Sequence, residues 1–159
     1  MPAFMKISGV DGEATDKAHS GWIKIESMSS SIHRSIPGGA TDQDRARGET
    51  SLGDVVVSRN LDKSSVQVQQ KCATGTFCDE VEIHLCTTIG EEQVPYLQYK
   101  LKNVVLTSYS FTGYASSDPK PAEMITMNYE SVDWTYTTIE NGQTKGNVPA
   151  SYNPGTGST

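Results

Sequence analysis

The amino-acid sequence predicts an all-β, mainly β fold: a small β-barrel or sandwich of two sheets carrying one short α-helix. Two patterns predict it. Many short runs alternate apolar and polar residues and are parted by Gly, Ser, Asp and Pro clusters, and a single segment carries both start and stop signals for a helix. The chain has 159 residues, enough for one domain with its own core and too few for two of ordinary size.

The elements follow in order. FMKIS (Phe4 to Ser8) reads as a first strand. VDGEATDKAHS then gathers Asp11, Glu13, Asp16 and His19 into one loop. A calcium loop needs oxygen ligands at alternating positions closed by a bidentate glutamate; Asp11 and Glu13 alternate, but Thr15 and Lys17 break the pattern. Asp16 and His19 can orient each other, yet no G-x-S-x-G, H-E-x-x-H or second histidine at ligand spacing accompanies them. The stretch reads as a solvated turn. WIKIESMSS sets Ile23 and Ile25 on one face and Trp22, Lys24 and Glu26 on the other, and its small polar end reads as a strand leaving the core along a wet surface.

SIPGGATDQDRARGETS, from Ser35 to Ser51, has no periodicity and dense charge, which marks a functional or disordered insert. LGDVVVSR supplies a strand whose three valines suggest burial on both sides. The helix comes next, in NLDKSSVQVQQKCATG: Ser64 or Ser65 serves its first turn, Gln67 stands three after Ser64, and Gly75 offers a left-handed stop. Val66, Val68 and Cys72 are its inward candidates. VEIHLCTT turns Val81, Ile83 and Leu85 one way and Glu82, His84 and Cys86 the other. In YLQYKLKNVVLTSYS the alternation of Leu97, Tyr99 and Leu101 shifts phase at Asn103, where Val104 and Leu106 take over, as at a bulge or a passage between sheet regions. MITMNYESVDWTYTTI is the last expected strand, with a phase change near Ser131. Residues 1–139 thus form the expected barrel domain, and 140–159, rich in Gly, Pro and Ser, a turn and flexible tail.

Composition narrows the function. Lys and Arg number 13 against 19 Asp and Glu, a net charge of −6, so nucleic-acid binding has no electrostatic footprint. The basic Arg45 and Arg47 are offset by Asp42, Asp44 and Glu49. No apolar run suits a cleaved signal peptide or a membrane span, so the expectation is a cytoplasmic protein without membrane insertion. Cys72, Cys78 and Cys86 match no common zinc spacing and read as reduced and structural. His33 and His84 each stand alone on a strand face. No catalytic residue, metal site or cofactor is indicated.

Several segments in order carry a resemblance: DGEATDKAHSGWIKI, VVVSRNLDKSSVQVQQKCATG, VEIHLC, YLQYKLKNVVLTSYS and MITMNYESVDWTY. Together, over about residues 3 to 137, the chain resembles the hemolysin-coregulated protein (Hcp) family, the tube component of bacterial type VI secretion. The resemblance implies a non-enzymatic β-barrel protomer that forms hexameric rings stacked into a hollow tube. It also implies sheath, spike and baseplate partners, small effectors carried in the lumen, and secretion by the machine itself. By position, Ser27, Ser29 and Ser31 become candidates to line the lumen and touch effectors. Asp42, Asp44, Arg45, Arg47 and Glu49 become candidates for a loop that meets the neighbouring ring through salt-sensitive ion pairs.

Three other readings stand beside it. A tail-tube protein of a related contractile injection particle shares the barrel and ring logic. A carbohydrate-binding β-module would use exposed aromatics such as Trp22, Trp134, Tyr99 and Tyr136. An enzyme of unrecognised type would need a converging cluster around Cys78 or His19.

Overall fold

The computed structural model describes residues 1–36, 38–39, 41–43, 48–113 and 120–155. Among them are eleven strands and one helix, more strands than the eight or so that the alternation suggests. The order is β1 (Ala3–Ile7), β2 (Ile23–Ile25), β3 (Ser27–Ser29), β4 (Ile32–Arg34), β5 (Thr50–Leu52), β6 (Val55–Asn60), α1 (Ser65–Thr74), β7 (Cys78–Ile89), β8 (Glu92–Thr112), β9 (Ala122–Asn128), β10 (Ser131–Glu140) and β11 (Gln143–Tyr152).

Nine strands make one antiparallel sheet whose path runs β2-β1-β7-β8-β9-β6-β3. β2 and β3 are consecutive in the chain, parted only by Glu26, whose amide donates to the Ser58 carbonyl at 2.8 Å. The two ends of the path are therefore one interrupted strand, and the sheet closes on itself as a barrel. Closure joins the two ends of this seven-stranded path, while β10 and β11 lie off it, β10 beside β8 and β11 beside β10. β4 and β5 form a separate two-stranded ribbon.

Alternation fills the interior as expected: Ile23, Ile25, Val81 and Ile83 are buried with Met5, Ile7, Val55, Val57, Ile125 and Met127. Val56 is only half-buried between its two buried neighbours, so β6 alternates instead of being buried on both faces. The phase shift at Asn103 is present. Leu101 and Val104, three residues apart, are both buried, and Asn103 between them takes φ +50°. At this point β8 changes partner, from β10 (Leu101 opposite Val132) to β9 (Val105 opposite Asn128). β9 and β10 are correspondingly two strands, interrupted at Tyr129 and Glu130.

The helix begins and ends as predicted, with Gly75 left-handed at φ +65° and its amide donating to the Cys72 carbonyl at 3.4 Å. Its inward face differs. Val68 enters the core and Cys72 packs against it, but Val66 is 73% exposed. Ser64 is the N-cap residue but makes no side-chain cap bond. Its hydroxyl instead accepts from Arg59 Nη1 at 2.7 Å.

Arg59 is fully buried and faces Glu123, also buried, directly across the β6–β9 ladder. Its guanidinium also donates to Asp62 at 2.9 Å and Ser65 at 3.2 Å, while Tyr109 donates to the far side of Glu123. Burial pushes the Asp62 carboxyl up, but the Ser64 hydrogen bond and the Arg59 charge outweigh it and hold it below the usual range. This network ties β6, β8 and β9 to the start of α1.

The expected flexible tail needs correction over residues 143–152. They form β11, paired with β10 from Val132 opposite Tyr152 to Glu140 opposite Gln143. The turn is Asn141-Gly142, both at positive φ (51° and 72°), the backbone that an Asn-Gly pair favours in a two-residue hairpin. β11 shows no alternation because nearly all of it is exposed.

Candidate functional site

β3 places Ser27 and Ser29 on the outer surface of the barrel, and cross-strand register extends that surface sideways. Ser27 lies opposite Ser58, Ser58 opposite Met124, and Met124 opposite Ser110. The next row is Ser29, Val56, Thr126 and Ser108. Asn60, Ala122 and Thr112 continue it beyond. Side chains paired across a ladder share a face, so these rows present a broad surface of mostly small, uncharged side chains, with Asp54 at its margin accepting from Asn128 at 3.0 Å. The Ser27 and Ser58 hydroxyls bond to each other across it. Ser31 lies past the end of β3, exposed, and its carbonyl accepts from the Gly53 amide at 2.8 Å. A Cβ on Gly53 would stand 2.0 Å from Ser31 Oγ, so the backbones approach this closely only because residue 53 is glycine.

The charged loop springs from the β4–β5 ribbon. Asp42 and Glu49 are exposed, and the Glu49 carbonyl accepts from the Ser35 amide at 2.9 Å. Asp44, Arg45 and Arg47 lie outside the described residues.

A second surface lies on the β10–β11 hairpin. The inward row Leu85, Leu97, Tyr136 and Val148 runs across β7, β8, β10 and β11. Leu85 packs against the core, whereas Tyr136 is 50% and Val148 63% exposed. The apolar face of the sheet thus continues past the barrel, and among the described residues Tyr136 and Val148 stay half or more exposed.

The opening loop differs from the solvated turn expected of it. Asp11 and Glu13 are exposed, but His19 is 1% exposed. Its ring stacks on Phe4 (centroids 4.4 Å apart) and meets the edge of Trp22 at 4.9 Å. Asp16 accepts from His19 Nδ1 at 2.7 Å, and His19 Nε2 lies 3.0 Å from His84 Nδ1. His84 is therefore not alone on its strand. Register explains this: Phe4 lies directly opposite His84 on β1 and β7, and the loop folds His19 over both. A pairing 65 residues apart leaves no motif; the single available signal was three aromatic-compatible rings, Phe4, Trp22 and His84, on outward strand positions.

Cys86 Sγ lies 3.9 Å from His19 Nε2, giving the sequence Asp16, His19, Cys86 the order of a thiol catalytic triad. The thiol is fully buried, and burial and Asp16 push it up to about 11, so it is neither ionised nor accessible as a nucleophile. The register shifts between Leu85 and Cys86, and the thiol is buried beneath the first loop against His19. Cys78, also buried, is likewise raised by burial; it lies in β7 and not in an exposed loop. Among the described residues no group of three or more His, Cys, Asp or Glu is arranged to hold a metal, and no helix is long and apolar enough to cross a membrane. Three of the aromatics considered for a sugar-binding face are engaged within the fold, while Tyr136 is 50% exposed. Trp134 and Tyr99 pack edge to face against the core, and Trp22 leans on His84.

The family model described as "Type VI secretion system effector, Hcp" matches residues 4–136. Protein hcp1 of Pseudomonas aeruginosa is 29% identical over 149 residues, spanning 94% of this chain and 91% of its own. The solved structure of a type six secretion system protein aligns with a TM-score of 0.89 at 25% identity, covering 98% of this chain and 97% of that one. Hcp1 from Salmonella typhimurium aligns with a TM-score of 0.80 at 20% identity over 99% and 97% of the two chains.

Proposed function

The chain belongs to the Hcp family of type VI secretion proteins, and from that premise we propose that it is a structural tube subunit: six copies close into a ring, rings stack into a hollow tube, and the tube is secreted with effectors in its lumen. The observation that carries this reading is the largely uncharged outer face built on β3, β6, β8 and β9, with Asp54 only at its margin. A tube wall of this kind lets varied cargo pass because little fixed charge repels or traps it. Ser27 and Ser29 sit at the centre of that wall, and Ser31 at its margin, as effector contacts. The uncovered Tyr136 and Val148 on the hairpin, beside the unpaired outer edge of β11, suit a neighbouring copy in the ring. The loop bearing Asp42, Asp44, Arg45, Arg47 and Glu49 serves as the contact between rings, and sheath, spike and baseplate proteins are the outer partners. The protein acts without catalysis, in keeping with the buried Cys78 and Cys86, whose thiols burial pushes up.

Light scattering on a sizing column followed by negative-stain imaging tests the proposal. Six-fold rings support it, and a strict monomer across concentrations overturns it. Given rings, Arg45→Glu or Arg47→Glu weakens their stacking most at low salt, where surface ion pairs are least screened; stacking indifferent to both substitution and salt removes the loop from that role. A tail-tube protein of a related contractile particle would form the same ring and differ in the sheath it binds.

A further inference from the structure

A second polar cluster, beside the Arg59 network, lies beneath the first loop as a chain of four titratable groups: Asp16, His19, His84 and Glu82. His19 Nδ1 is 2.7 Å from Asp16, the two rings meet at 3.0 Å, and His84 Nε2 is 3.3 Å from Glu82. The two hydrogen bonds, to Asp16 and between the rings, need two ring N–H groups, which two neutral imidazoles carry. A third N–H, on His84 Nε2, faces Glu82 as an ion pair, so the chain also accommodates one positive charge on the pair. A second added proton puts N–H on both nitrogens of the central contact, which turns a hydrogen bond into a repulsion.

The surroundings support that count. The loop contributes Asp16, β7 contributes Glu82 with Glu80 and Cys86, and β8 contributes Lys100, 3.7 Å from Glu82 and 3.9 Å from Glu80. Lys6 of β1 is registered opposite Glu82, Lys24 of β2 opposite Phe4, and Asp133 of β10 faces the same depression while paired with Lys102 at 3.6 Å. Glu82 shares Lys100 with Glu80, and the carboxylates that reach the rings themselves are Asp16 and Glu82. A doubly charged pair sets two cations in direct contact under Phe4 and Trp22.

We propose that Asp16, His19, His84 and Glu82 form an acid-sensitive latch, which holds the first loop closed over β1 and β7 near neutral pH and releases it when both histidines are charged. Release uncovers Phe4, Trp22 and the outer face of β1 and β7. Burial, the His19 charge and Lys100 lower His84 to about 4, consistent with a second proton that arrives only in acid. The latch does not depend on the tube reading.

The test is hydrogen exchange of the intact protein, corrected for intrinsic amide rates, followed from about pH 6.5 to about pH 4, with the His84→Gln variant in parallel. The expected result is a loss of protection of roughly tenfold or more for residues 11–21 while the core of β7 stays protected, and no such step in His84→Gln. Unchanged loop protection, a step that persists in the variant, or loop and β7 opening together would each overturn the latch. Should the variant fail to fold, imidazole nitrogen NMR of the native chain decides. Loss of the shared ring–ring proton in step with changes at residues 11–21 supports the latch, and ring titration without loop response refutes it.

Discussion

The buried Arg59–Glu123 pair offers a test of how the top of the barrel is held. Glu123→Leu removes one partner and leaves Arg59 fully buried, with Asp62 at 2.9 Å as its remaining carboxylate. Stranding one member of a buried pair costs about 3–5 kcal/mol, and because Asp62 persists the lower end applies, about 3 kcal/mol. Arg59→Met is worse. It leaves Glu123 buried with only the Tyr109 hydroxyl and takes the counter-charge from Asp62, which points to about 5 kcal/mol. The double variant puts two apolar side chains of similar bulk opposite each other in a ladder and is expected to cost less than either single change. Urea unfolding at neutral pH and one fixed protein concentration reads all four proteins, with an unchanged denaturant slope as the check on comparability. Thermal midpoints give a second reading, at about 2–4 °C per kcal/mol for a chain of this size. If the two single costs simply add in the double variant, or if Glu123→Leu costs less than about 1 kcal/mol, the network is not what anchors α1 to β6 and β9.

Three further outcomes follow from local geometry. Gly53→Ala would drive a Cβ to 2.0 Å from Ser31 Oγ and is expected to destabilise by about 1–3 kcal/mol, with Ser31→Gly in the same chain recovering part of it in the same urea assay. Gly142→Val forces φ +72° onto a β-branched residue and is expected to cost about 1–2 kcal/mol, visible as faster exchange of β11 amides; unchanged exchange would mean that β11 docks without its turn. For pH, the sign comes from His84: its folded value lies below the ordinary 6.5, at about 4, so the unfolded chain binds the proton first. Stability contributed by the neutral ring is whole above about 6.5 and declines as pH falls towards about 4, by about 3 kcal/mol in all. His84→Gln is expected to flatten that part of the stability profile, and a native profile already flat there would contradict it.

How far the sequence foretold this molecule can be argued residue by residue. Strands that bury one face announced themselves, because Ile23 and Ile25 or Val81 and Ile83 repeat with the period of the pleat. Asn103 was visible as a break in that period, and Gly75 as a stop. β11 is not visible, since a strand exposed on both faces has no period; its one signal, Asn141-Gly142, reads equally as a turn that opens a flexible tail. The barrel face around Ser27 is made by register among four strands, and register is a tertiary fact that no single segment contains. The same holds for His19 with His84 and for Arg59 with Glu123. Each pair looks unremarkable along the chain and becomes a unit only when the ladders align.

Barrel closure also sets the order in which the chain can fold. The first strand pairs with β7, Ala3 opposite Leu85, and β2 and β3 have β1 and β6 as their partners. β1 and β2 can pair with each other early, but the second edge of β1 has no partner until β7 has emerged, so a long loop must close before the barrel can be completed. Contacts of such sequence separation place this topology among slow folders, with native structure arriving only after most of the chain is made. Any self-association through the hairpin at the far carboxyl end is thereby postponed until the barrel behind it is complete.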